Sequence, residues 1–489
     1  MRTNGRLSTT HRKLVAVARR HAPSVLLPVL SRVSAGQLLG QFSPDWPEPW
    51  LISAIARENL AYGNEHRGGP RVTNSDLRRM RGVGLNLTDP FEDEVGQPDA
   101  ADSIIVRYAF QQAPYRCDPF AEITRVLAVL NRDYSSMTLK KVSNDWESLL
   151  GLPLEKFVKA AFLILTCALF GDGWFDPAEL ADPKFESYGV TSAEVLGVFH
   201  RYFAAGLPDL RERARADRHR DERLRRLDFN PLVETPYVSI GDGRYLAPSM
   251  HLATQRISLA SLYFIGMDKW GNAFSEDLGK IIEAYVGDQL RLLDPPAVVT
   301  GECSYKIKKN KRMTADYVLR LDGVTVVFEV KSARVAHKAR LAFNDYRDDF
   351  ERDVSDAFGR QIKTTVELIR AEKIPDFVDL QLPMDIRGVV VTAEPHYMIN
   401  SAAYRQRLPD PGCPFAVVSL GELERLIAAA QAGDAAELFR AVTKRGSDVT
   451  NVIAQHTQKL GVEVEPNSIL DAAFSRLRVS NISASREPT

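Results

Sequence analysis

Two carboxylic acids and a lysine stand close together in the second half of this 489-residue chain. Residues 314–321 and 324–330 predict two short strands joined by a tight Asp-Gly turn. Asp316 comes near the start of the first strand, and Glu329 and Lys331 end the second. Because side chains alternate along a strand, Glu329 and Lys331 leave the same face. Acids and a lysine on one sheet face could hold a divalent metal ion with a base beside it.

Helices and strands alternate around this pair of strands, between residues 272 and 432. The predicted order is α-β-β-β-α-β-β-α. The apolar run at 387–392 indicates a strand buried on both faces. Besides the opening pair, the expected elements are a helix at 275–293, a strand at 297–305, a helix at 349–371, strands at 387–392 and 414–419, and a helix at 420–430.

This order and these motifs resemble the PD-(D/E)xK nuclease superfamily, whose members have the restriction-endonuclease-like fold. Ala315-Asp316 matches the "PD" motif, with alanine in place of the proline, and Glu329-Val330-Lys331 matches "ExK". The sequence GKIIEAYV at 279–286 resembles the first-helix pattern and points to Glu283. The resemblance covers about 150 residues and leaves the first 230 unmatched.

The resemblance implies a metal-dependent nuclease with Mg²⁺ as cofactor and Mn²⁺ able to substitute. Asp316, Glu329 and the backbone carbonyl of Val330 would be the metal ligands. Lys331 would orient the attacking water and help to deprotonate it. Glu283 would hold a metal-associated water or a second ion. The alternatives are an ordinary ion pair for Glu329 and Lys331, and for Glu283 an exposed helix acid or replacement by Glu276.

A basic run lies immediately before Asp316, at Lys308, Lys309, Lys311 and Arg312. Beside a metal site, these side chains could hold a phosphate backbone. The alternative is a charged hairpin tip that resists aggregation.

The helix expected at 349–371 carries two further polar candidates. In branches of the superfamily a glutamine of this helix faces the site, so Gln361 is a candidate for contact with phosphate or metal-associated water, and a surface position is equally open. Lys363, two residues later, points elsewhere on the helix and is the weaker nucleic-acid contact.

Length suggests two to four domains, and the predicted helices and strands place the chain among multidomain α+β proteins. We expect a mainly helical domain at 1–230, a β-hairpin connector at 231–271, the nuclease-like domain with a mixed sheet flanked by helices at 272–432, and a C-terminal helical extension with a disordered tail at 433–489. Lys plus Arg and Asp plus Glu number 63 each, so any basic surface must be local. Four widely spaced cysteines argue against zinc and disulfides and favour the cytoplasm. No apolar run predicts a membrane span.

The expected activity is hydrolysis of phosphodiester bonds, of DNA rather than RNA and by an endonuclease rather than an exonuclease. Nuclease domains joined to large unmatched regions suggest, by analogy, a bacterial anti-phage system, with a homodimer or a partner subunit possible in such a setting. Two alternatives stay open. One is an inactive nucleic-acid-binding or scaffold subunit on the same fold, and the other is an RNase.

Overall fold

The fold combines many helices with mixed β-sheets, so the protein belongs to the α+β class. The structure is a computed structural model. It describes residues 11–65, 70–87, 100–116, 118–140, 145–216, 218–219, 222–293, 295, 297–307, 309–332, 352, 354–461 and 467–477.

Helices dominate the first 291 residues. Several begin at side-chain caps, such as the capping box in which Thr191 and Glu194 satisfy each other's backbone N–H groups. The helices are α1 (His11–Ala18), α2 (Pro23–Leu38), α3 (Pro49–Tyr62), α4 (Asn74–Leu85), α5 (Ala100–Gln112), α6 (Pro119–Leu130), α7 (Trp146–Leu150), α8 (Leu154–Phe170), α9 (Ser192–Tyr202), α10 (Leu207–Ala216), α11 (Met250–Gln255), α12 (Leu259–Trp270) and α13 (Asn272–Arg291).

A small four-stranded sheet lies among these helices. Its strands are β1 (Trp174–Phe175), β2 (Ala204–Gly206), β3 (Tyr237–Ser239) and β4 (Tyr245–Leu246), in the order β1-β4-β3-β2. The hairpin expected in the connector is β3–β4, but it pairs on both sides with strands from the preceding region. The sheet therefore crosses the boundary that the sequence suggested at residue 231.

The main sheet has five strands in the order β11-β10-β9-β8-β5, antiparallel at the β5 edge and parallel at the β11 edge. A separate two-stranded ribbon, β6–β7, extends between β5 and β8 in the chain. The strands are β5 (Val298–Gly301), β6 (Ser304–Ile307), β7 (Asn310–Met313), β8 (Tyr317–Leu321), β9 (Val324–Lys331), β10 (Ile386–Thr392) and β11 (Phe415–Ser419). The single strand expected at 297–305 is thus divided between β5 and β6.

Helices cover both faces of this sheet. The remaining helices are α14 (Lys363–Arg370), which continues a π-helical turn at Ala357–Ile362, α15 (Pro375–Asp379), α16 (Ala402–Arg405), α17 (Leu420–Ala432), α18 (Ala435–Thr443), α19 (Val449–Leu460) and α20 (Ser468–Ser475). Phe328 of β9 faces the core that holds α13 and α17, and its neighbour Val327 faces the π-helical turn and α14. This alternation buries both faces, as the apolar strands required.

A buried ion pair joins the N-terminal helices to the C-terminal part of the chain. Arg125 of α6 donates two hydrogen bonds to Glu424 of α17, from Nε to Oε1 at 2.8 Å and from Nη2 to Oε2 at 2.6 Å. Tyr285 of α13 donates to the same carboxylate at 2.7 Å. One continuous apolar core surrounds this network, from α6 and α8 through α13 to α17 and α20. The helical half and the main sheet are therefore packed together rather than joined by a free linker.

Among the described residues, no helix is both long and apolar enough to cross a membrane.

Replacing Glu424 by Gln tests this junction. Loss of the carboxylate leaves the buried Arg125 guanidinium with Glu122 as its one remaining carboxylate contact among the described residues. Removing one partner of a buried pair costs about 3–5 kcal/mol. We therefore expect a fall in Tm of several degrees by differential scanning calorimetry. The matched control is Glu234→Gln, whose carboxylate pairs with Arg213 at the surface and should change Tm little. An equal effect of both substitutions would contradict this account.

Candidate functional site

The hairpin β8–β9 brings the predicted acids together at one end of the main sheet. The first strand was expected to begin at residue 314 but begins at Tyr317, so Asp316 lies immediately before β8, and Glu329 lies in β9. The antiparallel register pairs Tyr317 with Phe328, so Asp316, one residue earlier, lies beside Glu329, one residue later. Val318 and Val327 share the face of the sheet on which these two acids lie. The acids therefore continue an apolar stripe and lie under the π-helical turn rather than in open solvent.

A backbone hydrogen bond fixes the Asp316 carboxylate. Its Oδ2 accepts from the backbone N–H of Val330 at 2.7 Å. The N–H and C=O of one residue in an extended strand point to the same neighbouring strand. The carbonyl of Val330 is therefore directed toward the start of β8, on the side where Asp316 lies.

Lys331 links the strand to the helix that covers it. Its Nζ donates to Glu329 Oε1 at 2.8 Å and to Gln361 Oε1 at 2.7 Å. Gln361 belongs to the π-helical turn, a feature that is rare and often found at functional sites. The sequence left open whether Gln361 faces the site or the surface. Its hydrogen bond with Lys331 shows that its side chain faces the site.

A threonine on α14 connects the same turn to the residues immediately before β8. Thr365 Oγ1 accepts from the backbone N–H of Ala315 at 2.8 Å and donates to the carbonyl of Gln361 at 2.9 Å. The strand and the turn are therefore held at a fixed separation.

Burial raises the pKa of all three acids at this end of the sheet. Glu329 is 1% exposed, and its burial, followed by repulsion from Asp316, raises the pKa of its carboxyl despite the nearby Lys331. The pKa of Asp316 is also raised, chiefly by burial. Glu283, on α13, has a pKa raised to about 7, by burial and then by Asp316 and Glu302. Lys331 lowers the pKa of all three carboxyl groups, and Lys280 also lowers that of Glu283, but burial outweighs both lysines.

The unsatisfied part of this arrangement is an oxygen atom of Glu329. Its Oε2 is buried and accepts no hydrogen bond from any described residue. A buried carboxylate oxygen without a donor is costly, and a cation beside it would remove the cost. Among the residues that the structure describes, no three His, Cys, Asp or Glu side chains form a ready-made metal-binding group. The donor set for an ion would therefore be the two acids with backbone and solvent oxygens.

The competing first-helix acid does not join the site. Glu276 forms an exposed ion pair with Lys140 at the surface. Glu283, by contrast, is half-buried, and its backbone carbonyl accepts a hydrogen bond from the Tyr317 hydroxyl at 3.1 Å. The first-helix pattern thus indicated the acid that lies near Asp316.

Sequence reasoning missed Glu302 and Thr365. Glu302 lies between β5 and β6, and it contributes to the raised pKa values of both Asp316 and Glu283. No spacing rule marks an acid in a loop, so the sequence held no signal for it. A Gln-x-x-x-Thr pattern at 361–365 could have placed Thr365 on the same helical face as Gln361.

The predicted basic residues lie on the β6–β7 ribbon. Lys311 and Arg312 belong to β7, all of whose side chains are exposed, and Lys309 lies exposed at the turn. Lys308 is outside the described residues. Lys363, at the start of α14, is exposed, and no described hydrogen bond or ion pair joins its side chain to the site.

Two features connect the ribbon with the site. Lys306 and Lys311 are directly opposite across the ribbon, a like-charge pair that destabilises a hairpin on its own. Arg360, on the π-helical turn, pairs with Asp356. That hydrogen bond is the largest cause of the raised pKa of Arg360, and Glu329 and Tyr305 of β6 make smaller contributions. Arg360 therefore lies within electrostatic reach of both the site and the ribbon.

Comparisons of this chain with models of known protein families, with curated proteins and with solved structures find no match.

The pKa of Glu283 predicts a stability change for Glu283→Gln. Since the folded pKa is near 7 and the ordinary value near 4.5, the folded state binds more protons than the unfolded state between these values. Stability from this group is present below about pH 4.5 and is lost as pH rises toward 7. In chelator at pH 8 we expect the variant to melt about 2 °C above the parent, an effect reduced by the partial exposure of the group.

The difference should disappear near pH 4.5, where both side chains are neutral. Thermal melts across this pH range measure it, with Glu276→Gln as the control, because that acid is exposed on the same helix. A variant that is no more stable than the parent at pH 8 would contradict the raised pKa.

Proposed function

We propose that this protein is a metal-dependent nuclease that hydrolyses phosphodiester bonds of duplex DNA, and that residues 272–432 form its PD-(D/E)xK-type domain. The observation that carries the proposal is the set of Asp316, Glu329 and Lys331, in which the buried Glu329 carboxyl has one oxygen that accepts no hydrogen bond from the described residues. Such a set is expensive to fold and is explained by a cation and a phosphate that complete it.

The arrangement of the sheet supports the same class. An antiparallel trio, β5-β8-β9, is followed by parallel β10 and β11. Helix α13 precedes the trio on one face, and the π-helical turn with α14 follows it on the other. This is the order of elements that the restriction-endonuclease-like fold requires. The fold assignment remains part of the proposal.

Asp316, Glu329 and the Val330 carbonyl are the groups that would hold Mg²⁺ or Mn²⁺. These are hard oxygen donors, which suit either ion, and the small number of protein ligands leaves places for solvent and phosphate oxygens. A bound ion would polarise the scissile phosphate and lower the pKa of the attacking water. Glu283 is half-buried and its carboxyl is influenced by Asp316, so it would accept a hydrogen bond from water near the ion.

Lys331 would contact the phosphate or the attacking water. An ammonium group has three N–H donors, and Lys331 uses two for Glu329 and Gln361. One donor is left, within the described structure, for an oxygen of the substrate. Because both acceptors belong to well-packed elements, the ammonium is oriented before substrate arrives, which is where much of the catalytic advantage of such groups arises.

The ribbon favours duplex DNA over RNA. A two-stranded β-ribbon fits the major groove of B-form DNA, which is about 12 Å wide. The major groove of an A-form RNA helix is too narrow and deep for it. Lys306, Lys311 and Arg312 would contact phosphates along this groove. A polyanion would also relieve the repulsion between the opposed lysines.

Cleavage of plasmid DNA with Mg²⁺ or Mn²⁺ tests the proposal. We expect Asp316→Ala and Lys331→Ala each to lower the single-turnover rate by at least about a hundredfold, the usual scale for losing a positioned acid–base or charge-stabilising group. Lys373→Ala, an exposed lysine in the loop after α14, is the control and should cleave like the parent.

RNA of the same sequence is assayed in parallel. Binding of DNA without cleavage in the presence of either metal would contradict the enzyme and favour a scaffold or nucleic-acid-binding subunit. Cleavage of RNA but not of DNA would show that the protein is an RNase and would contradict DNA as the substrate.

The ribbon makes a separate prediction about affinity. In an Asp316→Asn background, which prevents cleavage, Lys311→Ala with Arg312→Ala should weaken duplex binding. Loss of two phosphate contacts should reduce the slope of log K against log salt by about 1.8. Fluorescence anisotropy across a salt series measures it. The control pair Lys373→Ala with Lys459→Ala removes the same charge from other exposed sites. Equal slopes in both double variants would rule out the ribbon as a contact.

A further inference from the structure

A strongly basic cavity lies at the end of the main sheet away from the Asp316–Glu329 site. It measures about 700 Å³ and is lined by Arg387, Arg405, Arg440, Lys444 and Arg445, with Asp410 as the acid in its wall. Arg387 pairs in the sheet with Val326, whereas Lys331 pairs with Thr392. Arg387 and Lys331 are therefore five residues apart along the direction of the strands, a distance of about 16 Å. The cavity is therefore distinct from the Asp316–Glu329 site.

Arg405 is the buried cation among the five that line the cavity. It is 7% exposed, and its guanidinium lies over the Phe415 ring, 4.2 Å from the ring centroid. Its donors reach backbone carbonyls, those of Lys444 at 2.9 Å, Phe415 and Thr443. No carboxylate among the described residues forms an ion pair with it. Burial and then the nearby Arg445 lower the pKa of Arg405 to about 10, the direction expected for a cation without an acid partner.

The charges around the cavity do not balance. Arg387 and Arg440 share one acid, Asp385, at 2.7 and 2.8 Å. Lys444 and Arg445 are exposed, and neither forms an ion pair within the described part of the chain. The C-terminus of α18, which ends at Thr443, contributes about half a negative charge. With Asp385 and Asp410 also counted, about two to three positive charges stay uncompensated.

A helix C-terminus explains one or two cations at this place but not five. A cavity of this size is in the range of small-molecule sites, about 300–1,000 Å³. Guanidinium groups match phosphate oxygens in pairs, and several around one concave wall select a ligand with more than one phosphate. An extended nucleic acid needs an open track instead. Leu408 and Cys413 provide an apolar part of the wall.

We propose that this cavity binds a small ligand with two or more phosphate groups, of the size of a nucleotide. Arg405 and Arg445 would bind phosphate oxygens from the inner and outer parts of the cavity. Arg387 and Arg440 would remain tied to Asp385 and supply a fixed positive wall. The proposal does not depend on nuclease activity, because none of these side chains belongs to the Asp316–Glu329 site.

Binding of inorganic pyrophosphate and of ATP, each without divalent ions, tests the cavity. Isothermal titration calorimetry on the full chain should show saturable binding of at least one of them. Lys444→Ala with Arg445→Ala should weaken it at least about tenfold. These two side chains are exposed, so folding should be unaffected. Arg425→Ala with Lys459→Ala removes the same charge elsewhere and should bind like the parent. Asp316→Asn should also bind like the parent.

Comparing the two ligands shows which part of the ligand the cavity recognises. Binding of pyrophosphate indicates that phosphate alone is recognised, and binding of ATP alone indicates a nucleoside contact as well. The proposal fails if neither ligand saturates below about 1 mM, if the Lys444/Arg445 variant binds equally well, or if Asp316→Asn abolishes binding. It also fails if a 20-base-pair duplex is the one ligand whose affinity the Lys444/Arg445 variant lowers.

Discussion

Burial of the Glu329 carboxyl beside Asp316 is the constraint on which the candidate site depends. In water each acid would be ionised at neutral pH, but the sheet and the covering turn remove the water. Lys331 compensates part of the cost and is shared with Gln361. The part of the burial cost that Lys331 does not compensate raises the pKa values of both acids. A cation bound at the proposed site would remove part of that cost, and metal affinity would then be coupled to stability.

Much of the main sheet followed from the sequence because its signals are local. Strand alternation placed Glu329 and Lys331 on one face, and the apolar run at 387–392 indicated a strand covered on both sides, as found in β10. The Asp-Gly turn set the register that brings Asp316 beside Glu329. Glu283 followed from a resemblance, and in the structure its carboxyl is close enough to Asp316 for that acid to raise its pKa, after burial.

Features that depend on distant parts of the chain did not follow. The Arg125–Glu424 pair joins residues 299 apart, and neither residue has a neighbour that marks it. The ribbon β6–β7 was expected as the end of one strand and a loop, because a basic exposed segment lacks the apolar alternation that identifies strands. The π-helical turn is invisible to helical periodicity, yet it sets which way Gln361 faces.

Charge distribution, rather than net charge, carries the functional information in this chain. Acidic and basic residues are equal in number, 63 each, yet the structure gathers cations on the ribbon at one end of the main sheet and around the cavity at the other. Each collection contains cations that repel one another: Lys306 with Lys311, and Arg405 with Arg445. Such repulsion weakens folding and serves no packing purpose. Anions at both places would account for it, an extended one along the exposed ribbon and a compact one in the cavity.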